Sequence, residues 1–377
     1  MSNRSYKEVA LIGGIGALIG MAVTNYILND NNNNNNVVKV NNKKNEKNID
    51  KKYYFGVDIG GTTVSVILVN KKGKKLEISM KSIQDTSENG VLSLVIEMIQ
   101  DLLSINTYSM SINDIAAIGV GSPGVNDLAN GIILKASNFP NWNNFHITSM
   151  LSKVFNNIPV FLENDANAAL LAEVWIGAGK GCDDVVMITL GTGIGGAVMS
   201  GGNLLHGSTG MAGEIGHAIL VPSGRLNKGT GVRGIFEAYA SAKSVGEIAM
   251  EEVSKFKDST LNTLYNDGKK EITCKDVFDH AENGDLFATS IVQQTVEYLG
   301  IGCINVCRYY DPKIILLSGG MTLAGEQLLT MTTEAFLRHH WSIFKPTCEI
   351  KFATTGNEAG AIGAAYSAYL KVNCERV

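Results

Sequence analysis

Asp165 is the residue whose setting most invites chemistry. It follows Phe161-Leu162-Glu163-Asn164, which reads as the end of a strand, and Ala166 through Glu173 is a strong helix-forming stretch. The carboxylate therefore stands at a strand-to-helix junction. There it can act as a general base at the bottom of a cleft, or simply cap the helix. Two glycine turns frame it. Asp58-Ile59-Gly60-Gly61-Thr62-Thr63 lies between strand-like Tyr53–Val57 and Val64–Asn70, and Gly191-Thr192-Gly193-Ile194-Gly195-Gly196 lies between Asp184–Leu190 and Ala197–Met199. Glycines there leave backbone N–H groups unobstructed and the threonines add hydroxyls, so each turn is a candidate phosphate cradle or an ordinary hairpin. A dinucleotide-binding turn would run into a helix; here a strand follows both, which disfavours that reading. Two like hairpins suggest a duplicated architecture clamping one polyphosphate between two lobes.

Three further clusters carry polar chemistry. Glu214 and His217 are three apart in Gly213-Glu214-Ile215-Gly216-His217, so one helical turn would put them on a face together. Glu237 opens a helix-like stretch, where a first-turn acid also suits the helix dipole. Lys313–Leu317 reads as a buried strand closing at Ser318-Gly319-Gly320, a placement that suits a nucleoside at a strand's carboxyl end. The small-residue run Glu358–Ala365 reads as a closely packing helix and a candidate interlobe hinge.

The elements that must position these residues come from a chain of 377 residues, long enough for two domains. Lys and Arg number 32 and Asp and Glu 36, a net charge of −4, which disfavours a nucleic-acid binder as the main role. Hydrophobic residues at 45% supply a sizeable core. The six cysteines form no Cys-x-x-Cys pair and no disulfide framework, which fits a reducing compartment. Cys303 and Cys307, four apart, read as two buried thiols on one helix face, with a metal or redox pair as the alternative.

The first 52 residues differ in kind. Residues 9–28 carry no charge and are mostly apolar, about the length that spans a bilayer as a helix, so residues 1–28 are expected to be a transmembrane anchor; a soluble Gly-rich helix or a targeting peptide is the alternative. Residues 29–52, with the run Asn31–Asn36 and then Lys39, Lys43, Lys44, Lys47, Lys51 and Lys52, are expected to be a disordered linker. The lysine excess on that side would put the catalytic body in the cytosol, membrane-anchored; plain cytoplasmic is the alternative location.

Taken in order, Asp58-Ile59-Gly60-Gly61-Thr62, Glu163-Asn164-Asp165-Ala166-Asn167, Gly191-Thr192-Gly193-Ile194-Gly195-Gly196 and Gly213-Glu214-Ile215-Gly216-His217 resemble the motifs of the ROK family of sugar kinases and related repressors, within the actin-like ATPase superfamily. The resemblance covers about residues 53 to 370. Ser122-Pro123-Gly124-Val125 and Asn138-Phe139-Pro140-Asn141-Trp142 look most like the glucokinases. It implies an α/β, ribonuclease H-like fold of two lobes: residues 53–165 with a C-terminal helix over 357–377, and residues 166–356. Asp165 would be the catalytic base. Asn164, Glu214, His217 and Glu237 would hold sugar hydroxyls, with Asn138 and Gly124 lining the site. Asp58, Gly60, Gly61, Thr62 and Thr63 would serve ATP from the first loop, Gly191, Thr192 and Gly193 from the second, and Gly319 and Gly320 would lie against adenosine. Asp58 would orient Mg2+, and a homodimer is implied.

One departure stands out. Many relatives carry Cys-x-Cys-Gly-x-x-Gly-Cys-x-Glu after the histidine motif and bind a structural zinc. Counting back from Glu237, those cysteine positions hold Lys228, Thr230 and Ile235 here, so no zinc is expected. The expected activity is transfer of the ATP γ-phosphate to the 6-hydroxyl of glucose. The alternatives are an amino-sugar kinase such as one for N-acetylmannosamine, or an inactive sugar-sensing scaffold. A repressor would need a DNA-binding segment before residue 53, where an apolar run and an asparagine tract stand instead.

Overall fold

The computed structural model describes residues 53–105, 110–136, 138–268, 271–343 and 347–373. The expected anchor over residues 9–28 and the linker to residue 52 lie outside these. Among the described residues no helix is long and apolar enough to cross a membrane.

The described chain opens with β1 (Tyr53–Ile59), β2 (Thr63–Asn70) and β3 (Lys75–Ser82), an antiparallel meander whose first two strands are rich in aromatic and β-branched residues. Helix α1 (Glu88–Ser104) follows, capped by Ser87, which accepts the Gly90 N–H. Then come β4 (Ile115–Ser122), the small hairpin β5 (Val125–Asp127) with β6 (Ile132–Lys135), α2 (Ile147–Val154) and β7 (Val160–Asn164). The first sheet has the order β3-β2-β1-β4-β7, with β1, β4 and β7 parallel. Every residue of β4 is buried, as its continuous apolar run requires of a strand covered on both faces.

Helix α3 (Asp165–Trp175) carries the chain to a second sheet. Strands β8 (Val185–Leu190), β9 (Ile194–Ser200) and β10 (Asn203–Leu204) form its meander. Five helices intervene: α4 (Glu237–Ala240), α5 (Ala242–Glu252), α6 (Thr260–Asn266), α7 (Cys274–Glu282) and α8 (Leu286–Tyr310). Then β11 (Ile314–Ser318), α9 (Gly325–Arg338), β12 (Glu349–Phe352) and α10 (Ala359–Asn373) complete the fold. The second sheet runs β10-β9-β8-β11-β12, with β8, β11 and β12 parallel. Both sheets thus follow one plan, an antiparallel meander extended by two parallel strands. That is the duplication the two glycine hairpins suggested, and it is the two-lobed α/β fold.

Helices α3 and α10 form the layer between the sheets. A Cβ at Gly363 of α10 would overlap the carbonyl oxygen of Ala168 on α3, so these two helices meet backbone to backbone. The small residues of α10 also let β1 and β4 approach it, where Ala361, Ala365 and Ala368 are fully buried. The described chain passes between the sheets twice, through α3 and through the segment before α10. Buried Glu173 holds both passages. It accepts N–H bonds from Ala178 at 2.7 Å on the first and from Thr354 at 2.8 Å and Thr355 at 2.6 Å on the second. A carboxylate with that many donors is satisfied without water. The second lobe's main core packs β8, β9 and β11 against α5, α7 and α8, and Cys303 is among its buried members; Cys307, on the same helix, is only partly buried.

Candidate active site

The parallel strands of the first sheet bring three chain segments to one edge. Asp58 on β1 pairs with Gly121 on β4, and Gly121 and Ser122 pair with Glu163 and Asn164 on β7. Ligand clefts in α/β folds lie at such carboxyl ends. Asn164 is the cap of α3: its Oδ1 accepts the N–H groups of Ala166 at 2.9 Å and Asn167 at 3.2 Å. The capping role that Asp165 could have filled belongs one residue earlier. Asp165 is instead the first residue of the helix, and one of its oxygens accepts the Ala166 N–H at 2.9 Å.

Burial raises the pKa of Asp165 above the ordinary carboxylate range, opposed by the Ala166 N–H. Asp58 is pushed up to about 6, first by burial and then by the charge of Asp165. Burial, and for Asp58 also the charge of Asp165, disfavours ionisation of both carboxylates, a pattern of functional sites. A carboxylate is a hard oxygen donor that suits Mg2+, so Asp58 fits the cation expected with ATP.

Two cavities bear on the site, and the smaller opens on this region. One of about 290 Å3 is lined by Gly124, Asn126, Asn164, Asp165, Gly210 and Glu214, with much polar surface. The other, of about 630 Å3, lies between α5, α7 and the 3-10 turn Gly320–Ala324, and its lining includes Thr192, Met250, Thr273, Phe278 and Gly320. Thr192 and Gly320 come from the glycine turns picked out in the sequence. Gly319 (φ 92°) lies behind them, where a Cβ would overlap Leu190 backbone. Met250 and Phe278 escaped sequence reading because they sit on ordinary amphipathic helices, and Thr273 because it reads as a helix cap.

The other expected residues are spread around these cavities. The first glycine turn is closed by a Gly60 N–H to Thr63 carbonyl bond at 2.9 Å, leaving Gly61 and Thr62 exposed or half-exposed and Thr63 opening β2; Asn138 packs against Gly61. In the second turn the Gly191 N–H bonds the Gly193 carbonyl at 3.0 Å, and the Gly191 carbonyl accepts the Ala242 N–H at 2.9 Å, tying the turn to α5. Glu214 and His217 share a 3-10 turn, with Oε2 and Nε2 3.7 Å apart; Glu214 lines the smaller cavity and His217 does not. Glu237, expected beside the sugar, lines neither cavity. Its Oε2 accepts the Ile194 N–H of the second glycine turn at 2.9 Å, and its Oε1 accepts from Asn227 Nδ2 at 2.9 Å. Sequence reasoning missed Asn227, and no local signal marks it.

Among the described residues no three His, Cys, Asp or Glu side chains gather as a metal site. Lys228 is mostly exposed and lies 3.8 Å from Glu251, Thr230 bonds Asn227, and Ile235 is buried among Ala238 and Tyr239. An amine, a hydroxyl and an alkyl group do not fit a tetrahedral zinc centre.

The family model for the ROK family matches residues 54–370. The chain belongs to the ROK family. It is 37% identical over 317 residues to the glucokinase of Halalkalibacterium halodurans, covering 84% of this chain and 94% of that one. Among solved structures it resembles the ROK hexokinase of Thermus thermophilus, with TM-score 0.72 and 30% identity over 85% of this chain and 99% of the other. It also resembles a ROK glucokinase of Streptomyces griseus solved with glucose and AMPPNP, with TM-score 0.67 and 30% identity over 83% of this chain and 98% of the other. The family model begins at residue 54, after the N-terminal segment.

Proposed function

We propose that this protein is an ATP-dependent glucokinase. The observation that carries the reading is Asp165, a desolvated carboxylate at the floor of a small polar cavity, beside Asp58 and within a fold whose relatives are named glucokinases. The small cavity suits a hexose and the larger, more apolar one a nucleoside.

In the reaction, the sugar 6-hydroxyl gives its proton to Asp165 as its oxygen bonds the γ-phosphorus in line. The bond from that phosphorus to the β–γ bridging oxygen breaks, and ADP leaves with the pair. Burial raises the pKa of Asp165, which makes its carboxylate a stronger base than an exposed one. N–H groups of the two glycine turns face the phosphates, and Asp58 would hold Mg2+, which would supply charge neutralisation there. Glu214 binds the sugar directly. Asn164 presents its side-chain nitrogen, because its oxygen is committed to the helix cap. Glu237 acts from the nucleotide side by fixing the Ile194 N–H, and its reach to the sugar depends on closure of the cleft.

A coupled ADP-release assay over glucose, mannose and N-acetylmannosamine tests the reading, with Asp165→Asn in parallel. Glucose-dependent ADP release abolished by Asp165→Asn supports it. Preference for N-acetylmannosamine would move the protein to the amino-sugar kinases, and no activity with any sugar would leave a sensor. The apolar run at residues 9–28 supports a membrane anchor on a cytosol-facing enzyme. Release of the full-length chain from membranes by a carbonate wash would count against it.

A further inference from the structure

Glu163 is almost wholly buried, at 1% exposure, yet it is a carboxylate two residues before Asp165. Burying a charge is costly unless its oxygens are satisfied. Its Oε1 accepts the backbone N–H of Asn164 at 3.0 Å and the side-chain amide of Asn167 at 3.1 Å. Both groups belong to the cap and first turn of α3, the turn that carries Asp165. The remaining partner comes from the other lobe. His206 Nε2 lies 3.0 Å from Oε1 and 3.1 Å from Oε2. An ionised carboxylate can only accept, so the His206 nitrogen is the donor.

His206 follows β10, the edge strand of the second sheet. Its carbonyl accepts the Ala212 N–H at 3.2 Å and so closes a loop. Gly210, Met211, Gly213 and Glu214 of that loop line the smaller cavity, whereas neither Glu163 nor His206 does. One buried carboxylate therefore touches both the turn that carries the base and the loop that faces the acceptor.

We propose that Glu163 and His206 are a positioning pair that sets the sugar-facing loop of residues 206–214 against Asp165. This rests on the kinase reading above. Both residues act through others, so the pair governs the geometry of the hydroxyl and the base without touching either. Such alignment matters because in-line transfer tolerates little displacement of the reacting atoms. The nucleotide cavity lies on α5 and α7, away from the pair, and should not sense it.

The test uses the full-length enzyme with His206→Leu, His206→Gln, Glu163→Gln and the Glu163→Gln/His206→Leu double variant. Loss of a charge-assisted bond should raise the KM for hexose roughly 10- to 100-fold in His206→Leu. The KM for ATP should stay within about twofold, since the pair does not reach that cavity. His206→Gln keeps a donor and should recover most of the loss. The double variant should be no worse than the worse single one, as expected of two ends of one interaction. Amide hydrogen exchange over residues 206–214 should speed up in His206→Leu and stay near wild type in His206→Gln. A folded His206→Leu with wild-type hexose KM and wild-type exchange overturns the proposal, as does a double variant whose losses multiply. Should His206→Leu fail to fold, Glu163→Gln against wild type carries the same two readouts. If the wild type phosphorylates no hexose, the kinase reading fails, and the exchange comparison alone decides the pair.

Discussion

Replacing Asp58 by Asn should make the ligand-free enzyme more stable while making it a poorer catalyst. Burial and the charge of Asp165 push the Asp58 carboxyl up to about 6 in the folded protein. In an unfolded chain an aspartate titrates near about 3.9. The folded state therefore holds this proton more tightly than the unfolded state. Below about pH 3.9 both are protonated and Asp58 costs nothing. As pH rises through about 6 the folded protein must ionise a group in a poor environment, and stability is lost. A shift of about two units corresponds to about 3 kcal/mol, and the residue's partial contact with cleft water brings the expectation to about 2–3 kcal/mol. Asparagine has nearly the same shape and no charge, so at pH 7.5 the variant should melt about 3–4 °C above wild type. The gain should fade towards pH 4. Thermal denaturation of both proteins, without nucleotide or divalent cation, across pH 4 to 8 measures it. Turnover at saturating sugar should fall, with more Mg2+ needed for half-maximal rate. A variant no more stable than wild type at pH 7.5, or a gain that does not change with pH, refutes the reasoning.

The remaining expectations follow from single contacts. Asp165→Asn keeps shape and polarity but removes the proton acceptor, so kcat should fall roughly 10²- to 10⁴-fold with a smaller change in hexose KM; near-normal turnover would remove Asp165 from the base role. Glu237→Gln weakens the bond from the Ile194 N–H in the second glycine turn, so the KM for ATP should rise about tenfold, whereas a change confined to hexose KM would place its work at the sugar. Gly363→Ala drives a methyl group into the Ala168 carbonyl between the two central helices, and should cost at least about 1–3 kcal/mol in urea denaturation; an unchanged midpoint would mean the helices can separate freely.

What the sequence made legible was local. β-Branched and aromatic runs ending in glycine turns announce the two hairpins, and their likeness announces the repeated sheet plan. The strand-to-helix step at Asp165 was legible for the same reason, although the cap proved to be Asn164, because which of two adjacent polar residues takes the N–H bonds depends on backbone angles that composition does not encode. What stayed hidden lies in pairs distant along the chain. Glu173 bonds Thr354 and Thr355 some 181 and 182 positions away, and Glu163 bonds His206 across 43. Periodicity tells which face of an element is buried, not what it is buried against. The nucleoside cavity was only half visible for that reason: its glycine turns carry a signature, while Met250 and Phe278 look like any helix face and Thr273 like any helix cap.

The loop before Glu237 shows how one structural task can be met by different chemistry. A zinc centre fixes several points of a loop at once through strong directional bonds. Here the same stretch is fixed by separate, weaker means. Ile235 and Phe236 are buried, each at 1% exposure. The Arg225 N–H donates to the Tyr239 hydroxyl at 2.6 Å, and its guanidinium meets the Glu251 carboxylate with two bonds. Asn227 accepts the Thr230 N–H at 2.9 Å and donates to Glu237. Apolar burial sets where the loop lies, and the Asn227 and Ile194 contacts together set the direction of the Glu237 carboxylate. That carboxylate in turn holds the second glycine turn through Ile194. The loop is thus joined by one amide and one carboxylate to the backbone that faces the nucleotide. Its order therefore rests on apolar burial and these hydrogen bonds.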